Sequence, residues 1–246
     1  MAARLGRGNR AAMKPTPPHR RRNLWRLAGV SAGALALAET VRLLALWRQT
    51  RTYPRYWAAR AAEPLAPNAL RVVAFGDSAA MGIGARRPEE SLVARIAAYL
   101  AERTGRPVHL TNLSTGGGRV ATVLEHLHLA DADAVIVVAG SADAIARVPL
   151  GQFRADVREL VERVPADRTI LSDVPLQPGS KPYQKALAEV ADEAKVAHAD
   201  FARAFRTARR FDVFAADFTH VNSRGYQIWF TAFRPHLDAL IARLSR

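Results

Sequence analysis

Five short apolar runs, each followed by a stretch with helical spacing, most constrain what this chain can fold into. "RVVAF" (71–75), "VHLTNL" (108–113), "AVIVVAG" (134–140), "TILSDVP" (169–175) and "VAHADF" (196–201) have the length and composition of strands. Helical spacing is carried by "EESLVARIAAYLAERTG" (89–105), "RVATVLEHLHL" (119–129), "GQFRADVRELVERV" (151–164), "KPYQKALAEVADEAK" (181–195) and "NSRGYQIWFTAFRPHLDALIARL" (222–244). Strict strand–helix alternation predicts an α/β domain over residues 70–246, with a five-stranded parallel sheet covered by helices on both faces. Sheets of this kind bind ligands beyond the carboxyl ends of their strands, so chemistry is to be sought just after each apolar run.

The residues before 70 are different in kind. Residues 1–60 hold 13 Lys and Arg against one acidic residue, whereas residues 61–246 hold 23 against 21. The net charge of +14 therefore belongs to an appendage. The domain itself lacks the basic surface of a nucleic-acid-binding fold, and no specific nucleic-acid partner is expected. Residues 1–23 read as a disordered basic tail, 24–50 as an apolar helix and 51–69 as a linker containing Pro64 and Pro67. Three readings of the apolar helix stand side by side. It is long enough to span a bilayer, it has the layout of an export signal, and it could lie along a surface. The surface in the third reading is either a membrane or the domain itself. The expectation is membrane association or export, and otherwise a cytoplasmic protein, with Glu39 and Arg42 one helical turn apart and able to pair.

The absence of cysteine excludes disulfides, thiolate catalysis and cysteine-based zinc sites. His109, His126, His128, His198 and His236 show no metal-ligand spacing, and no cofactor or metal is expected. The "GGG" of residues 116–118 lacks the lysine of a phosphate-binding loop.

The strand ends supply hydroxyl, imidazole and carboxylate groups. "GDSAAMG" (76–82) follows the first run, "NLSTGGGRV" (112–120) the second, "GSAD" (140–143) the third, and "DFTHVNSRGY" (217–226) precedes the last helix. A hydroxyl is a poor nucleophile until a base takes its proton, and the base needs a carboxylate to fix its tautomer. Ser78, His220 and Asp217 are the candidates for these roles. Each motif alone has a plain structural explanation: Gly-Asp-Ser suits a turn, and Asp or Asn near a helix start is a common cap. Asp143 reads as a structural residue of the loop after the third strand. Trp229, Phe230 and Phe233 read as the buried face of the last helix.

Taken together and in this order, the motifs resemble the SGNH, or GDSL, hydrolase family. The resemblance rests on Gly76-Asp77-Ser78 with Gly82, Gly117, and Asp217-Phe218-Thr219-His220, and it covers about residues 70–246. It implies a flavodoxin-like three-layer fold and acyl-ester hydrolysis without a cofactor, on a small-molecule, lipid or carbohydrate ester. Ser78 would be the nucleophile and would donate its backbone N–H to the oxyanion. His220 would be the base, Asp217 its partner, and Gly117 the source of a second N–H. One position departs from the pattern: where the family carries Gly-x-Asn-Asp, this chain has Ala142 in place of the Asn that completes the oxyanion hole. Ser141 and Asn112 are the candidates to compensate. Loss of that donor also leaves open a catalytically impaired binding or scaffolding protein on the same fold.

Overall fold

A computed structural model describes the backbone of residues 18–172 and 179–245. The elements in chain order are α1 (Pro18–Ala61), β1 (Leu70–Gly76), α2 (Ser78–Met81), α3 (Leu92–Thr104), β2 (Val108–Asn112), α4 (Val120–His126), β3 (Ala134–Val138) and α5 (Ser141–Ile145). They continue with α6 (Leu150–Arg163), β4 (Thr169–Ser172), α7 (Lys181–Glu193), β5 (Ala197–Ala199), α8 (Phe201–Ala204), α9 (Arg210–Val213) and α10 (Ser223–Leu244).

The five strands form one parallel sheet in the order β2-β1-β3-β4-β5. This is the doubly wound order of flavodoxin-like folds. Alternation along the strands explains the three layers. In β1, Val72 and Ala74 face the core beneath α3 and α10, which contribute Ile96, Leu100, Trp229 and Phe233. Val73 and Phe75 face the opposite core, built by α4, α6 and α7 with Val123, Phe153, Leu160 and Leu187. β3 is buried at every position because both of its faces are covered. The Trp229, Phe230 and Phe233 cluster lies on the buried side of α10, as expected, and the Trp229 Nε1–H donates to Ser172 Oγ at 2.7 Å.

The residues before the sheet depart from expectation. Residues 24–50 lie within α1, but the helix starts earlier and continues through residues 51–61, which the sequence suggested were linker. The reason is packing. Tyr53 and Trp57, one turn apart, are 5% and 3% exposed and belong to the same core as α3 and α10. Pro54 lies inside the helix without ending it. Residues 18–23 are also helical, while the rest of the expected basic tail, residues 1–17, lies outside the described residues. Arg42 pairs with Glu39 at 2.9 Å. Among the described residues, no helix is long and apolar enough to cross a membrane.

Candidate active site

The site begins where β1 ends. Gly76 has φ +148, and a side chain there would bring a Cβ within 2.0 Å of the Val138 carbonyl oxygen on the neighbouring β3. Only glycine allows the two strand ends to run this close before the chain turns. Asp77 then caps α2: its Oδ1 accepts the Ala79 N–H at 2.8 Å, and its own N–H donates to Val138 O at 3.2 Å. Ser78 is thereby fixed as the first residue of α2, at the carboxyl edge of the sheet. Burial pushes the Asp77 carboxyl up. The Ala79 N–H opposes that shift, as do Ser141 and the Ala142 backbone nearby, although Oδ2 itself makes no hydrogen bond of good geometry.

His220 arrives from the far end of the chain on a tight loop. Phe214 and Val221 form an antiparallel bridge, Ala215 N–H donates to His220 O at 2.8 Å, and Phe218 takes a left-handed φ of +51. Asn222 knots this loop to α10. Its Oδ1 caps the helix through the Arg224 and Gly225 N–H groups, and its Nδ2 donates to the Asp212 and Phe214 carbonyls, all at 3.0 Å. Asp217 Oδ1 accepts the Thr219 and His220 N–H groups at 3.0 Å, which leaves Oδ2 for the imidazole.

The structure brings three of the sequence-predicted residues into line. Asp217 Oδ2 lies 2.5 Å from His220 Nδ1, and His220 Nε2 lies 3.0 Å from Ser78 Oγ, across 142 positions of sequence. With Nδ1–H donating to the carboxylate, Nε2 keeps the lone pair that accepts the serine hydroxyl. Burial alone would raise the Asp217 pKa. The hydrogen bonds from the His220 ring and from the His220 and Thr219 backbone outweigh it and hold the carboxyl below the usual range.

Ser78 and His220 open into a cavity of about 750 Å³. Its lining includes Gly117, the fourth predicted site residue, together with Ser114, Ser141 and Ala142. Among the described residues, the backbone N–H groups of Ser78 and Gly117 have no protein acceptor. Asn112 does not stand in for the missing Asn side chain. Its Nδ2 donates to Ala80 O at 3.0 Å and its Oδ1 accepts from Ser114 N, so both ends of its amide serve the loop after β2. Asp143, read from the sequence as a residue of the loop after the third strand, lies in α5 and bonds the first residue of α4. It is fully buried beneath the site, accepts the Val120 N–H at 3.0 Å, and has a pKa pushed up by burial to about 6.

Sequence reasoning missed α1 as part of the site. Thr50 and Pro54 line the cavity, while Gln49, Tyr53 and Trp57 hold the loop that follows α2. The available signal was the one-turn spacing of Tyr53 and Trp57, which Pro54 between them disguised as linker. Among the described residues, no group of His, Asp and Glu is arranged to hold a metal ion.

Residues 74–228 match the GDSL-like lipase/acylhydrolase family. The solved structures that resemble this chain include TesA, with a TM-score of 0.59 at 20% identity, covering 69% of this chain and 99% of that one. The lipase/acylhydrolase from Enterococcus faecalis gives 0.60 at 21%, covering 71% and 96%. The Clostridium thermocellum family 3 carbohydrate esterase gives 0.57 at 16%, covering 70% and 98%. A search of curated protein sequences gave no match. The α/β fold with its five-stranded parallel sheet matches the fold of these structures. The chain belongs to the GDSL-like lipase/acylhydrolase family, which supports acyl-ester hydrolysis as its general activity.

Proposed function

We propose that this protein is a serine carboxylesterase in which Ser78 is the nucleophile, His220 the general base and acid, and Asp217 the carboxylate that orients the imidazole. The observation that carries the proposal is the unbroken chain from Asp217 through His220 to Ser78, with contacts of 2.5 and 3.0 Å. Ser78 Oγ attacks the ester carbonyl carbon while its proton passes to His220 Nε2. The resulting imidazolium is stabilised by Asp217 and returns the proton to the departing alkoxide, leaving an acyl group on Ser78. A water molecule then loses a proton to His220 and attacks the acyl carbonyl. The carboxylic acid departs as Ser78 Oγ regains its proton.

The negative oxygen of each tetrahedral intermediate is met by the Ser78 and Gly117 N–H groups. Both are free of protein acceptors among the described residues, and a donor needing no reorganisation is worth most in a site of this kind. The cavity is lined largely by Met81, Ile83, Ile145, Val221 and small residues, which favours an ester with an apolar part. Replacing Ser78 with Ala is expected to abolish hydrolysis of a short p-nitrophenyl ester. Retention of the wild-type rate by Ser78→Ala would refute the assignment.

Ala142 motivates a second reading, a catalytically impaired binding protein on the same fold. Its signature is correctly folded wild-type protein that neither turns over esters nor reacts with a fluorophosphonate.

A further inference from the structure

The cavity beside Ser78 has a wall that the hydrolase core does not supply. Thr50 and Pro54 lie on α1, outside the matched residues 74–228, yet they line the cavity together with Met81, Ile83 and Val221. They are four residues apart on one helix and therefore present a single stripe. Neither offers the cavity a hydrogen-bond donor: the Thr50 hydroxyl donates back to Trp47 O at 2.7 Å, and proline has no N–H.

This wall is anchored at several points. Gln49 Nε2 donates to Ala85 O at 2.9 Å, while its Oε1 accepts the Gly84 N–H at 2.8 Å. Tyr53 Oη donates to Ala85 O at 2.6 Å, and Trp57 Nε1 donates to Met81 O at 2.8 Å. All of these acceptors and donors lie in residues 81–85, which run from the Ser78 helix to the backbone of His220 and Val221. The helix that carries the wall is thus fixed to the loop joining the two reacting side chains.

We propose that Thr50 and Pro54 of α1 are specificity-determining residues that set the length and bulk of the apolar arm of the ester. The inference rests on the reading of Ser78 as nucleophile. The wall touches the non-reacting part of the substrate, so it acts on selection among esters rather than on the chemistry at Ser78. Both side chains are exposed at the open cavity edge, and substitution there leaves the core intact.

The test uses the full chain and two ester series. One varies the acyl group from acetyl to dodecanoyl on p-nitrophenol; the other varies the alcohol on a fixed acetyl group. Active sites are counted by fluorophosphonate titration, so partial misfolding does not enter the rates. Thr50→Trp, which fills the cavity edge, is expected to lower the long-to-short ratio of kcat/KM by roughly tenfold or more in one of the two series. Pro54→Ala, which opens it, is expected to raise the ratio in that same series. Whichever series responds identifies the arm that the wall contacts. Ratios unmoved in both series for both variants would overturn the proposal, provided Ser78→Ala is inactive. Full hydrolysis by Ser78→Ala would instead remove the active-site reading, and this inference with it.

Discussion

Gly84 offers a test of how closely the loop after α2 governs the proposed Ser78–His220 pair. It has φ +97, and a Cβ built on it would lie 2.3 Å from Val221 O, 3.1 Å from Val221 C and 3.1 Å from His220 Cβ. In Gly84→Ala, the left-handed backbone costs about 1–2 kcal/mol. The carbonyl contact must also open by roughly 1 Å to reach ordinary van der Waals separation. The carbonyl belongs to the residue after His220, so much of that shift passes to the imidazole. A displacement of this size breaks a 3.0 Å contact between Nε2 and Ser78 Oγ. Misplacement by about 1 Å costs on the order of a hundredfold in rate.

The expected result is a kcat on p-nitrophenyl acetate reduced about a hundredfold, with the unfolding free energy lowered by about 1–3 kcal/mol. Gly105→Ala is the control. Gly105 also has a positive φ, +66, but nothing lies within 4 Å of a Cβ there and it does not line the cavity. It should lose stability and keep its activity. A Gly84→Ala variant as destabilised as Gly105→Ala but equally active would refute the argument that this loop sets the position of His220.

Two further outcomes follow from the same geometry. Ala142→Asn places an amide donor in the cavity beside the two backbone N–H groups, and steady-state kinetics should show kcat rising by on the order of a hundredfold, the worth of one such donor. An unchanged kcat would mean that position 142 does not face the oxyanion. Asp143 is held with a raised pKa of about 6, so the folded state binds a proton more tightly than the unfolded chain, whose carboxyl titrates near 4. That contribution is fully present below about pH 4 and is lost as the pH rises through about 6. Thermal melts should therefore show Asp143→Asn gaining Tm relative to wild type across that window, and a Tm difference that does not depend on pH would contradict the assignment.

The fold was legible because the central strands β1 and β3 carry apolar runs and helical spacing follows each strand, although β2 (VHLTN) and β5 (AHA) are interrupted by polar residues. "AVIVVAG" reads as a buried strand from its length and β-branched content, and the observed β3 is buried throughout. The boundaries shifted where runs extended past the last paired residue; β3, for example, pairs only through Val138. The grouping of Ser78, His220 and Asp217 was suggested by order and local chemistry: Ser78 follows a strand, and Asp217 and His220 are three positions apart. The spacing of Asp217 and His220 did not reveal how their loop is held, which depends on Asn222 bonding both the helix start and two carbonyls behind it. Asn112 looked available to compensate for Ala142 because a sequence does not show that Ala80 O already takes its amide. The role of α1 was hidden for a related reason. A proline and several arginines suggested linker, whereas burial of Tyr53 and Trp57 against the core decides the matter.

The account stands or falls on Ser78 as the nucleophile, and covalent trapping tests it most directly. Wild-type protein incubated with a fluorophosphonate should gain the mass of one phosphonyl group, mapped to the peptide carrying Ser78, and the His220→Ala variant should label far more slowly. An unlabelled wild-type protein, or a label carried by a different residue, would contradict the account.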